Sequence, residues 1–225
     1  MLTQLKPLFS FYGTKGKIAP QYPEPQFDTI IEPFAGGGGY SLLYADHDVH
    51  LFDLDEYVVA TWDYLIQASG DDIMSLPLTD EFHDTHELPV SLGARCLIGY
   101  WCNPASAQPK RTPSQRNKWD ERTRQRIAES VDSISHWTVT RSSYVNIVDE
   151  RATWFIDPPY QQAGKWYRHG SGAIDFRCLG DWCQSRSGQV VVCENDGADW
   201  LPFEYLCDTN GMSGKSKEVI WTNET

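Results

Sequence analysis

The stretch TIIEPFAGGGGYSLLYAD, residues 29–46, leaves few folds open to this chain. A β-branched run leads into four consecutive glycines and then into a segment able to close as a helix, a pattern of strand, loop and helix. VHLFDLDEYVVATWDYLI follows at residues 49–66, with an apolar strand over residues 49–52, an acid at the strand end in Asp53, and Tyr57, Val58, Trp62 and Leu65 at helical spacing. Successive βα units imply a parallel sheet covered by helices, so the expected class is α/β with a Rossmann-like sheet and helices on both faces.

The opening pattern returns late in the chain. ATWFIDPPY, residues 152–160, is an apolar strand ending in a special turn; DFRCLGDWCQSR reads as a helix, GQVVVCEN as a further strand and EVIWTN as the last one. The middle has a different character. SLGARCLIGYWC reads as a buried helix, NPASAQPKRTPSQRNKW as a loop with three prolines and no periodicity, RTRQRIAESVDSI as a helix, and WTVTRSSYVNIV as a strand followed by a turn. A polar loop this long inside a compact chain is usually functional or mobile.

Four glycines in a row let a backbone approach a ligand where a Cβ would collide. Asp53, at the end of the next strand, stands where a carboxylate of such a fold accepts hydrogen bonds from ribose hydroxyls, and the two together point to a nucleoside-containing cofactor. Neither G-x-x-x-x-G-K-[ST] nor a strict G-x-G-x-x-G occurs at the loop, which speaks against a nucleoside triphosphate or a nicotinamide dinucleotide. The second motif is FIDPPY. Two prolines fix two φ angles and remove two N–H donors, so the carbonyls beside Asp157 are rigid and free of a ladder. A carboxylate and a neighbouring carbonyl make two acceptors suited to an –NH₂ group, while Tyr160 offers a flat face to the ring that carries it.

These residues carry a resemblance. Phe11, Tyr12 and Lys15 in FYGTK, then Phe34, Gly36 and Gly38 in the glycine loop, then Asp53 in LFDLD, then DPPY, stand in the order found in the S-adenosylmethionine-dependent DNA adenine methyltransferases of the Dam type, which this chain resembles outside about residues 70–145. Thr14 stands where that family has a second glycine before the lysine. The resemblance implies a Rossmann-like catalytic domain over residues 1–69 and 146–225, with an inserted target-recognition region over residues 70–145. It implies that Phe34, Gly36 and Gly38 shape the S-adenosylmethionine loop, that Asp53 holds the ribose, that Leu54 packs on the cofactor's adenine, and that Lys15 with Phe11 or Tyr12 closes the pocket. Asp157 and the carbonyl of Pro158 or Pro159 would accept from the target amine, and Tyr160 would stack on a base flipped out of double-stranded DNA. The activity implied is methylation of the 6-amino group of adenine by in-line displacement. The rival readings are the same chemistry on another ring amine, in cytosine or in RNA, and a non-catalytic acidic binding protein on the same fold.

Charge bears on the partner. The chain is −12 overall, yet residues 110–126 hold seven basic side chains against two acids, so that stretch is +5 and the remainder −17. A basic stretch of this density can position a duplex through its phosphates, which nominates Lys110, Arg111, Arg116, Lys118, Arg122 and Arg124 for DNA contact. The six cysteines lie in apolar segments without a C-x-x-C pair, and His83 and His86 lack the order of a metal motif, so reduced thiols and no metal are expected. With no apolar run of membrane length and no signal pattern, the expected location is the cytoplasm.

Overall fold

The computed structural model describes residues 5–211 and 214–223. Seven strands form one sheet: β1 (Thr29–Glu32), β2 (Asp48–Asp53), β3 (Thr138–Arg141), β4 (Ala152–Ile156), β5 (Gly188–Asn195), β6 (Glu204–Gly211) and β7 (Gly214–Thr222), in the order β3-β2-β1-β4-β5-β7-β6. The first five are parallel to one another, and β7 runs antiparallel to both β5 and β6. From β1 the chain moves outward to β3, returns to the centre at β4, and moves outward on the other side. That reversal leaves a crevice at the carboxyl ends of β1 and β4, the place where open sheets of this kind bind ligands.

Helices cover both faces, as expected for a Rossmann-like sheet. Alternate residues of a strand point to opposite sides. Ile30, Phe155, Val191 and Cys193 therefore join one core with Trp62 and Leu65 of α1 (Glu56–Gln67) and Leu97 of α3 (Leu92–Cys102). Ile31, Trp154, Ile156, Val190 and Val192 join the other with Leu179 and Cys183 of α5 (Phe176–Gln184). Residues 70–145 supply α2 (Gly70–Met74), α3, α4 (Glu121–Ala128) and also β3, which pairs with β2 along the sheet edge.

The proline-bearing loop after α3 has a structural task. Backbone N–H groups of Lys110, Ser114 and Lys118 donate to the carbonyls of Gly99, Cys102 and Trp101, so the loop satisfies the acceptors that the last turn of a helix leaves open. A Cβ on Gly99 would lie 2.8 Å from the Lys110 carbonyl oxygen, so the close approach needs glycine there.

The helix expected after the four glycines does not form; the segment closes only as a 3-10 turn at Ser41–Leu43. The N–H and hydroxyl of Ser41 both donate to the buried Glu32 carboxylate, at 2.9 and 2.5 Å, and Tyr40 stacks on Phe155 with ring centroids 4.1 Å apart. These bonds hold the chain against the sheet where a helix would have lifted it away. Strand β6 also escaped sequence reading, because EYLCDTNG lacks a clean apolar alternation. Among the described residues no helix is long and apolar enough to cross a membrane. All six cysteines are free thiols, Cys178 exposed and the other five buried.

Candidate active site

One crevice at the carboxyl ends of β1, β2 and β4 is lined by Phe11, Tyr12, Lys15, Phe34, the four glycines, Asp53, Leu54, Asp157 and Pro159. Its unfilled space is about 1000 Å³ including the open mouth. Motifs far apart in sequence thus meet because each lies at the end of its own parallel strand. Pro158 is buried and outside this lining, and Tyr160 faces an adjoining cleft instead.

The glycines line the crevice and also let the chain pack on itself. Gly36 and Gly38 have φ of +45° and +58°, which only glycine adopts freely. Added Cβ atoms would meet protein: Phe11 at Gly36, the Thr14 hydroxyl at Gly37, Trp62 at Gly38, and the backbone nitrogens of Gly16 and Lys15, 2.6 and 2.7 Å away, at Gly39. The loop is therefore glycine-rich chiefly so that the FYGTK segment can lie directly on it. That packing is what brings Lys15 into the crevice.

Asp53 ties two loops together. One carboxylate oxygen accepts from the Gly36 N–H at 3.0 Å and the other from the Asp55 N–H at 2.8 Å, and Asp55 in turn caps α1 by accepting from the Tyr57 N–H. Each Asp53 oxygen keeps a further lone pair for a ligand. Burial raises its carboxyl to about 6, against the two backbone hydrogen bonds. Leu54 is 41% exposed at the crevice wall, an apolar side chain left uncovered beside that acid. Phe34 packs on Tyr144 with centroids 5.5 Å apart.

Asp157 sits deeper. Its Oδ1 pairs with the Lys15 ammonium at 3.1 Å, and the same ammonium lies 3.6 Å from Glu218 of β7 and 4.4 Å above the Tyr160 ring centroid. Burial lifts the Asp157 carboxyl to about 6, with Lys15 pulling the other way. Burial also opposes the Lys15 charge, but Asp157 and then Glu218 overrule it, and its pKa stands above the ordinary lysine value.

Glu218 and Tyr22 were not anticipated. Glu218 is 3% exposed and accepts hydrogen bonds from the Tyr22 hydroxyl at 2.7 Å and from the Tyr160 hydroxyl. Burial, then the Asp157 and Glu218 carboxylates, keep the Tyr160 phenol protonated well above its usual range. The sequence signal was faint: an acid opening the apolar run EVIW, where a buried carboxylate demands a partner.

Glu32, also unanticipated, lines the crevice, and burial pushes its carboxyl up to about 8 despite the bonds from Ser41. Glu32, Asp53 and Asp157 all hold protons more tightly folded than unfolded, so their contribution to stability falls as pH rises through the raised values. Of the three, only Glu32 titrates between about 6 and 8. Thermal melts should therefore show Tm falling over that interval, and Glu32→Gln should flatten the fall, whose limit is about 1.4 kcal/mol per pH unit for one proton. An unchanged slope would place the proton on another group.

The basic residues picked from the sequence differ in their surroundings. Arg111 pairs with Asp84, and Arg124 pairs with Glu121 at 2.5 Å and donates to the Leu76 carbonyl. Arg116 donates to Asn103 at 3.2 Å, Lys118 and Arg122 are exposed, and only Lys110 reaches a cleft beside the crevice. Arg111 and Arg124 thus serve local ion pairs.

No protein-family model matches the chain, and no curated protein matches it. Among solved structures 29 chains match. One, described as a candidate methyltransferase, yhhF from Escherichia coli, is 8% identical with a TM-score of 0.37, covering 92% of this chain and 80% of its own. Another, a candidate methylase, HI0767 from Haemophilus influenzae, is 12% identical with a TM-score of 0.38, covering 92% and 84%. Likeness at this level carries no activity over, and the fold assignment stands on this chain's own strand order and pairing.

Proposed function

We propose that this protein is an S-adenosylmethionine-dependent methyltransferase acting on the 6-amino group of adenine in DNA. The observation that carries the reading is the meeting of Asp53, the glycine loop, Asp157 and Pro159 around one crevice at the switch point of the sheet. Three features suit the cofactor. Asp53 has free lone pairs for ribose hydroxyls, Leu54 offers an uncovered apolar face for adenine, and with Glu32 protonated near neutrality and Asp157 and Asp55 paired with Lys15 and Arg168, Asp53 is left as a carboxylate without an ion pair among the described residues, in keeping with a cationic ligand.

When bound, S-adenosylmethionine supplies an electrophilic methyl group on a sulfonium. An exocyclic adenine nitrogen is a weak nucleophile because its lone pair is delocalised into the ring. Asp157 Oδ2 and a proline-stiffened carbonyl accept hydrogen bonds from that amine, which favours a pyramidal nitrogen and aims its lone pair. With the cofactor held at Asp53 and Leu54, its methyl group would go to that nitrogen with the sulfur as leaving group, and Asp157 would take the proton that the nitrogen sheds. Lys15 holds Asp157 in place throughout.

The test is product analysis. Protein, methyl-labelled S-adenosylmethionine and unmethylated DNA are incubated and digested to nucleosides; labelled N6-methyladenine is expected, whereas a labelled cytosine, or no labelled nucleoside across varied DNA, would overturn the adenine assignment. Calorimetry adds a check on the cofactor pocket. Asp53→Ala should weaken S-adenosylmethionine by roughly 10- to 100-fold, the worth of charged hydrogen bonds. Equal heats for both proteins would remove Asp53 from the site.

A further inference from the structure

Beside the crevice lies a second, wider cleft between the FYGTK segment, residues 105–110, the loop around Trp166, and β6 and β7. The two are continuous, since Phe11, Tyr12, Lys15 and Tyr167 line both, and Tyr160 and Glu218 face the second one. Its charge runs against that of the chain. Four lysines line it against two carboxylates, Asp208 and Glu218, on a protein of net charge −12. Lys15 is held by Asp157 and Glu218, but Lys6, Lys17 and Lys110 are exposed, and none forms an ion pair among the described residues.

Trp166 stands at the same cleft and is 65% exposed, while the other eight tryptophans are buried or half-buried. An exposed indole beside unpaired ammonium groups is the combination that binds a nucleic-acid strand: cations on phosphates and a flat ring against a base.

Resting on the methyltransferase reading, we propose that this cleft is the docking groove for the substrate DNA. Lys6, Lys17 and Lys110 contact phosphates on either side of the target nucleotide, and Trp166 stacks on a neighbouring base. The strand carrying the target base lies along the groove, and that base turns past Tyr160 into the crevice. Arg116, Lys118 and Arg122, outside this cleft, contribute little.

Fluorescence anisotropy with a labelled duplex, measured across salt concentrations, tests the assignment. The Lys6→Gln, Lys17→Gln, Lys110→Gln triple variant should bind at least tenfold more weakly at low salt. Its log–log salt slope should shrink by about 0.9 for each phosphate that is no longer neutralised. Arg116→Gln, Lys118→Gln, Arg122→Gln should leave both quantities near wild type. Trp166→Phe should remove the tryptophan quenching that accompanies binding. Unchanged affinity of the lysine variant for a duplex that the wild type does bind would overturn the groove and leave the methyltransferase reading intact. Wild-type protein that binds S-adenosylmethionine but no DNA would refute the groove and the DNA substrate together. Retention of S-adenosylmethionine affinity in each variant shows that it is folded.

Discussion

Methyl transfer should fall by roughly 10²- to 10³-fold in Asp157→Ala, while S-adenosylmethionine still binds, because the acceptor removed is one whose strength grows as charge develops on the amine. The position is set by the backbone. β4 is paired on both sides, to β1 and to β5, and two prolines follow Asp157, so the carboxylate has little freedom to be anywhere else. Lys15 takes Oδ1 and leaves Oδ2 without a partner among the described residues. Deleting Asp157 does not strand a buried charge, since Glu218 remains 3.6 Å from the Lys15 ammonium, and the variant should fold.

A pH profile separates this acid from its neighbour. Burial puts both Asp157 and Asp53 at about 6, so activity should drop as pH falls through that value. Protonated Asp157 no longer accepts through both oxygens, and its limb belongs in kcat at saturating cofactor. Protonated Asp53 weakens ribose hydrogen bonds and belongs in the KM for S-adenosylmethionine. Asp157→Asn should abolish the kcat limb together with most of the rate. A wild-type rate in that variant would exclude Asp157 from the chemistry.

What the sequence made legible was whatever is local to a strand end. EPFAGGGG, LFDLD and DPPY each follow an apolar run, and a parallel sheet brings those ends to one edge whatever the details of packing. Side chains delivered by long-range pairing were hidden. Glu218 meets Tyr22 across 196 positions of sequence, through an antiparallel strand inserted between β5 and β6, and no spacing rule connects them. The packing of the glycine run was hidden for a related reason: its four missing Cβ atoms make room for Phe11, Thr14, Lys15 and Trp62, partners that lie elsewhere in the chain. The ion pairs of the basic stretch were hidden as well, because a run of arginines says nothing about the acids it folds against, and Asp84 and Glu121 pair with Arg111 and Arg124.

Glu218 is the residue whose loss should be felt by the whole pocket at once. It accepts from the hydroxyls of Tyr22 and Tyr160 and lies beside the Lys15 ammonium, so it fixes the tyrosine of DPPY and the cation that holds Asp157. Glu218→Ala leaves the buried Tyr22 hydroxyl and the part-buried Tyr160 hydroxyl without their acceptor while Asp157 still neutralises Lys15 at 3.1 Å, and a loss of about 1–3 kcal/mol of stability is expected from the unsatisfied buried hydroxyl. Glu218→Gln keeps an acceptor for the tyrosines and removes only the charge. That milder variant should stay folded yet transfer methyl roughly 10- to 100-fold more slowly, as befits a residue that positions others. A double-mutant cycle with Tyr160→Phe is decisive. If Glu218 acts through Tyr160, the pair should show a coupling of about 0.5–3 kcal/mol in log kcat. Strictly additive effects, with kcat unchanged in Glu218→Gln, would reduce Glu218 to a structural acid and leave Tyr160 oriented by packing alone.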